Sequence, residues 1–406
     1  MLNKTITAVS DQFSHARGQL SIIYVTNNLP YPPVSGGQLR EFQMLTRLGR
    51  NFQVHLVTFV KNTDAIQADI PETLKLTASV TVLQTSCHLA PQSYPLRVRS
   101  HYHPRGKQAI KSAIERFHAS IVHIEGYFLS HYVPRSSALG VILAAENIEF
   151  DLELGAENLG VLPVGTSELT RMWELNAWNR ADHLIGVTQE DVSEMRRLCT
   201  TRNIRCVTNG MDHLKLPLCD STIYYTANTF LYIANYMWLP SLDAAQHLLQ
   251  NIWPIIRRLS PSARLILAGA GMSAELIADA VLTPGVEIHG PYDEFSEIAG
   301  RASVMLFPLR FGGGVKVKII EAISAGLSLV TTPLALRGFP MELQTFVTTA
   351  EAPDDFARAS IKLAQSADRR ARAQSARRIL VDSLPSWDDS AENLGAVWRD
   401  AAQKSS

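Results

Sequence analysis

RFGGGVKVKIIEAISAG, residues Arg310 to Gly326, sets three consecutive glycines ahead of an amphipathic run carrying two lysines and one glutamate. It follows the apolar run SVMLFPL (303–309) directly, so it reads as a strand, a glycine-rich loop and then a helix. In an open α/β sheet such loops lie beyond the carboxyl ends of the strands, where ligands bind. Gly312, Gly313 and Gly314 let backbone N–H groups approach a ligand, Val315 leads into the helix, and the helix N-terminus adds partial positive charge. Lys316 and Lys318 are expected in the first helical turn, where cations are unfavourable unless an anion compensates them. A diphosphate fits, with Glu321 a turn further on to accept hydrogen bonds from sugar hydroxyls. The spacing is not that of a P-loop, because G-K-[ST] is missing. The competing reading is a tight strand-to-helix turn with solvated lysines.

Outward from this loop, short β-branched and aromatic runs alternate with helix-period segments. The first half offers strands at 21–27, 53–59, 79–84, 120–125, 141–146 and 183–188; the second restarts the rhythm at 229–235, 263–269, 286–290, 303–309 and 327–332. Several are nearly continuous apolar runs, as parallel strands covered on both faces require. The expected architecture is α/β, with two doubly wound Rossmann-like domains facing a cleft. The expected divisions are a flexible lead-in at 1–19, a first domain at 20–212, a linker at 213–228, a second domain at 229–385, and a terminal helix and tail at 386–406.

The 406 residues suit two domains, and 46% hydrophobic against 19% charged residues allows real cores. Lys+Arg equals Asp+Glu at 38 each, so no global field draws nucleic acid, and anion binding has to be local. Cys87, Cys199, Cys206 and Cys219 form no C-x-x-C pair, which suits reduced thiols in a cytoplasmic protein. No apolar run reaches the roughly 18 residues of a membrane span. The N-terminus lacks a signal-peptide core, and peripheral membrane contact stays compatible with the sequence.

Further candidates stand at other strand ends. The loop LPYPPVSGGQLREFQML follows the first strand and places Gly36, Gly37 and Arg40 where a helix opens. In AAENIEF, Glu146, Asn147 and Glu149 follow an apolar strand, where a carboxylate can act as base, electrostatic stabiliser or hydroxyl acceptor. His123 and Glu125 share one face of SIVHIE by alternation, with a buried histidine as the alternative. His101 and His103 lie in a basic segment expected to be mobile. Asn235 ends a strand, and Trp238 beyond it reads either as a stacking platform or as a packing anchor.

In chain order these elements resemble the GT-B fold retaining glycosyltransferases of the family 4, glycogen-synthase-like (group 1) type. The resemblance runs from about residue 20 to 390 and includes VTQED (187–191), TNGMD (208–212), YIANYMWLPS (232–241), LILAGAG (265–271) and GGGVKVKIIEAISAGLSLVTTP (312–333). It implies a nucleotide-sugar donor on the second domain, an acceptor on the first, and a C-terminal helix crossing back to the first domain. By position, Glu321 would hold the donor ribose, and Gly312 to Val315 would face the donor sugar and phosphates. Gly37 would approach the diphosphate, and His289 to Tyr292 would lie near the base. There are departures from the pattern. The first position of E-x7-E is Gly313; Asn235, Tyr236 and Met237 stand where Arg and Lys are usual; and H-N-x-E reads Glu146-Asn147-Ile148-Glu149. Phosphate charge would then come from Arg310, Lys316, Lys318 or Arg40.

The expected activity is a hexosyltransferase-type reaction (EC 2.4 class). A sugar moves with retention from a nucleoside diphosphate sugar to a hydroxyl acceptor, a saccharide, lipid-linked saccharide or small molecule, in glycoconjugate biosynthesis. The catalytic candidates are Glu146, Lys316 and Glu321. The donor candidates are Gly36, Gly37, Asn235, His289, Tyr292, Arg310, Gly312 to Val315, Lys316 and Glu321; those on the acceptor side are Arg40, His123, Glu125, Glu146 and Asn147. No D-x-D stands where it would hold a divalent ion, so neither metal nor cofactor is expected. The alternatives are a GT-B sugar-nucleotide epimerase or hydrolase, and a catalytically silent partner subunit.

Overall fold

The computed structural model of the chain describes residues 5–10, 19–212, 228–292 and 295–403. The chain divides into two compact units: one runs to Gly210 and takes in Trp387 onward, and the other spans Met211–Ser386.

The first unit is built on β1 (Thr5–Val9), β2 (Ser21–Thr26), β3 (Gln53–Val60), β4 (Ser79–Gln84), β5 (Ile121–Glu125), β6 (Gly140–Ala145), β7 (His183–Gly186) and β8 (Asn203–Cys206). They form one sheet in the order β1-β4-β3-β2-β5-β6-β7-β8. Every neighbour is parallel except β1, which runs antiparallel to β4. Along β2, Ile22 and Tyr24 join one core layer while Ile23 and Val25 join the other, all at most 1% exposed. That double burial explains the continuous apolar runs. The strand order reverses between β2 and β5, so the crevice for a ligand falls at Thr26 and Glu125.

The lead-in expected at 1–19 is corrected in part. Residues Thr5–Val9 are an edge strand whose Ile6 and Ala8 pack against the core, while Thr5, Thr7 and Val9 stay exposed. One half-buried face on a five-residue strand gives too little period to stand out among polar neighbours. Of the linker expected at 213–228, all but Asn228 lies outside the described residues, as does Cys219.

The helix Gly36–Leu48 opens at Ser35, whose hydroxyl accepts the Gln38 N–H at 3.3 Å. Its buried face holds Arg40, Glu41, Met44, Leu45 and Leu48, so a charged pair enters the interior beside the apolar stripe. The C-terminal helix Trp387–Gln403 packs on this helix and on β5 and β6, burying Trp387, Leu394, Val397 and Trp398. Gly395 lets it come close, since a Cβ there would stand 3.2 Å from Leu48 Cδ2. Among the described residues no helix is long and apolar enough to cross a membrane.

The second unit carries β9 (Thr229–Ile233), β10 (Arg264–Ala268), β11 (Val286–Gly290), β12 (Val304–Phe307), β13 (Ser328–Thr331) and β14 (Thr348–Thr349). All are parallel, in the order β11-β10-β9-β12-β13-β14. Here the order reverses between β9 and β12, which puts the loop after β12 at the switch point.

The packing of the terminal helix predicts that Leu394→Ala destabilises the protein by about 2–5 kcal/mol. Chemical denaturation followed by circular dichroism checks this, and an unchanged midpoint would show that the helix contributes no core.

Candidate active site

In the second unit, β12 delivers the chain into the loop 308–316, and the helix Val317–Ser324 follows. Gly312 and Gly314 adopt φ of +128° and +65°, a region closed to most side chains. A Cβ on Gly312 would also stand 3.2 Å from the Trp238 ring and 3.4 Å from Pro240 Cβ. Trp238 is therefore the packing anchor of the loop, which decides between its two readings.

Lys316 does not point out of the first turn as expected. It occupies the N-cap position, is 5% exposed, and donates from Nζ to the carbonyls of Gly313 and Gly314, each at 2.7 Å. A trans peptide points its N–H opposite to its C=O. Turning these carbonyls onto the ammonium therefore turns the N–H groups of Gly314 and Val315 the other way, and the buried charge polarises them as donors. Val315 itself is a core side chain at 8% exposure, so only its backbone can serve a ligand.

The other cations of the loop are engaged too. Arg310 donates from Nε to Asp243 Oδ2 at 2.9 Å and from Nη2 to Asp243 Oδ1, a fork that fixes the helix Leu239–His247 to the loop. Lys318 Nζ donates to the Tyr292 hydroxyl at 2.6 Å and stands 2.8 Å from Glu321 Oε2. Burial opposes the Lys318 charge, but Glu321 and Tyr292 outweigh it and hold the ammonium above its usual range. The structure thus brings Tyr292, Lys318 and Glu321 into one group, whereas the sequence had tied each to the donor separately, Lys318 as a cation for the phosphates.

Asn235 closes a turn beyond β9 by accepting the Met237 N–H at 3.1 Å. His289 is exposed on the edge strand β11, apart from the β9–β12 switch point.

In the first unit the switch point gathers carboxylates. Thr26 Oγ1 donates to Glu41 Oε1 at 2.9 Å, and Glu125 stands at the end of β5. Glu146 follows β6 beside Gly37, where a Cβ would lie 2.7 Å from Glu146 Oε2. Burial, then Glu125 and Glu146, push the Glu41 carboxyl well up. Burial and the Glu125 charge lift Glu146 to about 7, against the opposing pull of Arg40 and Arg97. Glu125 goes the other way: burial would raise it, but the hydrogen bond from His123, with Arg40 and the Tyr24 hydroxyl, brings it below the usual range.

Several expectations change here. Arg40 is 3% exposed and donates to Asn209 Oδ1 and Val207 O, each at 2.8 Å, so it ties the helix to the Asn-Gly turn rather than facing an acceptor. His123 is fully buried, with both ring nitrogens engaged by Glu125 and Trp398, so it reaches a ligand only through Glu125. His103 is buried at 1% exposure, and its backbone N–H donates to the Tyr132 hydroxyl at 2.7 Å. His101 Nδ1 donates to Arg97 O at 2.8 Å, and burial lowers its pKa to about 4. Glu149 pairs with Arg97 at 3.0 Å, while Glu174 accepts the N–H groups of Glu149 and Phe150 and so caps the helix Glu149–Asn158. Gly36 and Asn147 lie at the rim, partly or fully exposed. Sequence reasoning missed Tyr24, Glu41, Arg97, Asp243 and Trp398, because their partners are distant in the chain. The one available signal was charge on the core-facing side of a helix, at Glu41.

Residues 227–366 match the family described as Glycosyl transferases group 1. No curated protein matches by sequence. Among solved structures, sucrose-phosphate synthase from Thermosynechococcus elongatus superposes with a TM-score of 0.70 at 14% identity, covering 94% of this chain and 99% of that one. Anabaena HepE in complex with UDP and glucose gives 0.69 at 12% identity, over 94% and 100% of the chains. WaaG, a glycosyltransferase involved in lipopolysaccharide biosynthesis, gives 0.64 at 14%, over 93% and 99%. The chain therefore has the GT-B fold, and its second unit carries a group 1 glycosyl transferase domain.

Proposed function

We propose that the protein moves a sugar, with retention, from a nucleoside diphosphate sugar to a hydroxyl acceptor, a hexosyltransferase-type reaction in glycoconjugate synthesis. The observation that carries this reading is the loop Arg310–Lys316 at the switch point of the second unit. Its Gly314 and Val315 amides turn outward because Lys316 holds the carbonyls inward. The diphosphate is met by these amides and by the N-terminus of the helix Val317–Ser324, with the Lys316 charge behind them. Glu321 accepts the ribose hydroxyls, and Lys318 holds it in place. HepE bound to UDP and glucose supports this class of donor on the same fold.

In the reaction the bond from the anomeric carbon to the diphosphate oxygen breaks, and the acceptor oxygen bonds to the same face of the sugar. Stabilising the leaving diphosphate lowers the barrier, as donors aimed at developing charge do. The acceptor belongs to the first unit, where Glu146 takes the hydroxyl proton. A carboxyl lifted to about 7 matches that task, because half of it is ionised near neutral pH. With no D-x-D in the loop, the amides and Lys316 take the part a metal would play.

Two outcomes are expected. Lys316→Ala lowers kcat/KM for the donor by about 10²-fold or more without unfolding the protein, since the loop loses the clamp on two carbonyls; unchanged steady-state kinetics would remove Lys316 from the mechanism. Since Glu146 acts as a base, the rate rises with pH through about 7 and then levels. Glu146→Gln should abolish that limb and lower kcat by about 10²- to 10⁴-fold. Retention of the limb in this variant would assign it to another group. Turnover of donor without acceptor would favour an epimerase or hydrolase instead.

A further inference from the structure

We infer that Trp398, on the C-terminal helix, is a positioning residue for Glu146: its indole N–H fixes His123, which together with Tyr24 holds Glu125 as a charged carboxylate facing Glu146. This rests on the reading of Glu146 as the acceptor-side base, and supplies what sets its basicity.

The chain of hydrogen bonds has one consistent set of protons. The indole nitrogen can only donate, and Trp398 Nε1 lies 3.1 Å from His123 Nδ1, so Nδ1 carries the lone pair. The imidazole proton then sits on Nε2 and donates to Glu125 Oε1 at 2.9 Å. The Tyr24 hydroxyl donates to the same oxygen. An imidazolium would turn a second N–H against the indole N–H, so the indole keeps His123 neutral. Among the described residues, Glu125 Oε2 is buried with no hydrogen-bond partner. Two donors on one oxygen hold this carboxylate ionised where burial alone would protonate it.

The fold places these groups together. Tyr24 and His123 are register partners on β2 and β5, and their rings stack with centroids 4.6 Å apart. Trp398 meets both edge-on, at 6.3 and 5.7 Å, from 275 residues along the chain from His123. Trp398 and His123 are both 0% exposed, so no substrate touches either. Among the described residues, the charges acting on Glu146 include Glu125 from β5, Arg40 and Glu41 from the helix Gly36–Leu48, Arg97 from the helix Leu96–Ser100, and Glu149 at the start of the helix Glu149–Asn158. Of these, Glu125 acts most strongly on it.

The sign follows without choosing how His123 responds. If the indole N–H is lost, nothing blocks a proton at Nδ1: His123 is open to gain a second proton there, or to move its proton to Nδ1 and leave Glu125 short of a donor. In the first case imidazolium neutralises Glu125; in the second Glu125 takes up a proton. Negative charge beside Glu146 is reduced either way, and Glu146 becomes more acidic.

The test is a ¹³C NMR titration of Glu146 in the unliganded full-length protein, assigned with Glu146→Gln, in wild type, Trp398→Phe and Glu125→Gln. Both of the latter variants should bring the midpoint down from about 7 by about half a pH unit or more. A Trp398→Phe midpoint equal to wild type, with Glu125→Gln lowered, would overturn the proposal, whereas a merely structural tryptophan would shift thermal stability alone. If Trp398→Phe does not fold, ¹⁵N spectra of the wild-type imidazoles decide instead. His123 should carry its proton on Nε2 and the lone pair on Nδ1, and an Nδ1–H signal would overturn the assignment. None of these measurements needs donor or acceptor, so their failure leaves the base role of Glu146 to its own kinetic test.

Discussion

Parallel strands covered by helices on both faces leave polar side chains little room except at their carboxyl ends. Both units obey this constraint, and both place their charge at the point where strand order reverses. In the second unit that charge is cationic and lies under a glycine turn, through Lys316, with Arg310 and Lys318 beside it. In the first it is carboxylate, through Glu41, Glu125 and Glu146.

Burying an ammonium costs on the order of several kcal/mol unless it is hydrogen-bonded. Lys316 meets that condition with two carbonyls of the loop it helps to form, so loop shape and charge burial depend on each other. The carboxylates meet it differently. Glu125 stays charged through donors, while Glu41 and Glu146 are pushed toward the protonated form by burial and by Glu125. A carboxyl lifted to about 7, as Glu146 is, can exchange a proton at physiological pH, which a solvent-exposed glutamate cannot do efficiently.

The sheets were legible because their strands are continuous apolar runs, and the glycine loop because three glycines between strand and helix have few other uses. Strands such as Thr5–Val9 and Thr348–Thr349 were not, being short and only partly buried. Side-chain direction was the harder matter. Residue type named Lys316, Arg310 and Arg40 as cations for a phosphate, yet each is turned inward to a carbonyl, a carboxylate or an amide. The links from Tyr24 to Glu125 and from Trp398 to His123 span 101 and 275 residues, distances at which no local pattern speaks. The charged pair on the buried face of Gly36–Leu48 was the available sign that this face serves more than packing.

The central claim, that the loop Arg310–Lys316 receives the diphosphate of a sugar nucleotide, is tested most directly by calorimetric titration of the protein with a panel of nucleoside diphosphate sugars. Saturable binding of at least one member is expected. Strong loss of that binding is expected in Gly312→Ala, where φ of +128° strains any side chain and a methyl group would crowd the Trp238 ring at 3.2 Å. Binding unaffected by Gly312→Ala, or no binding across the panel, would contradict it.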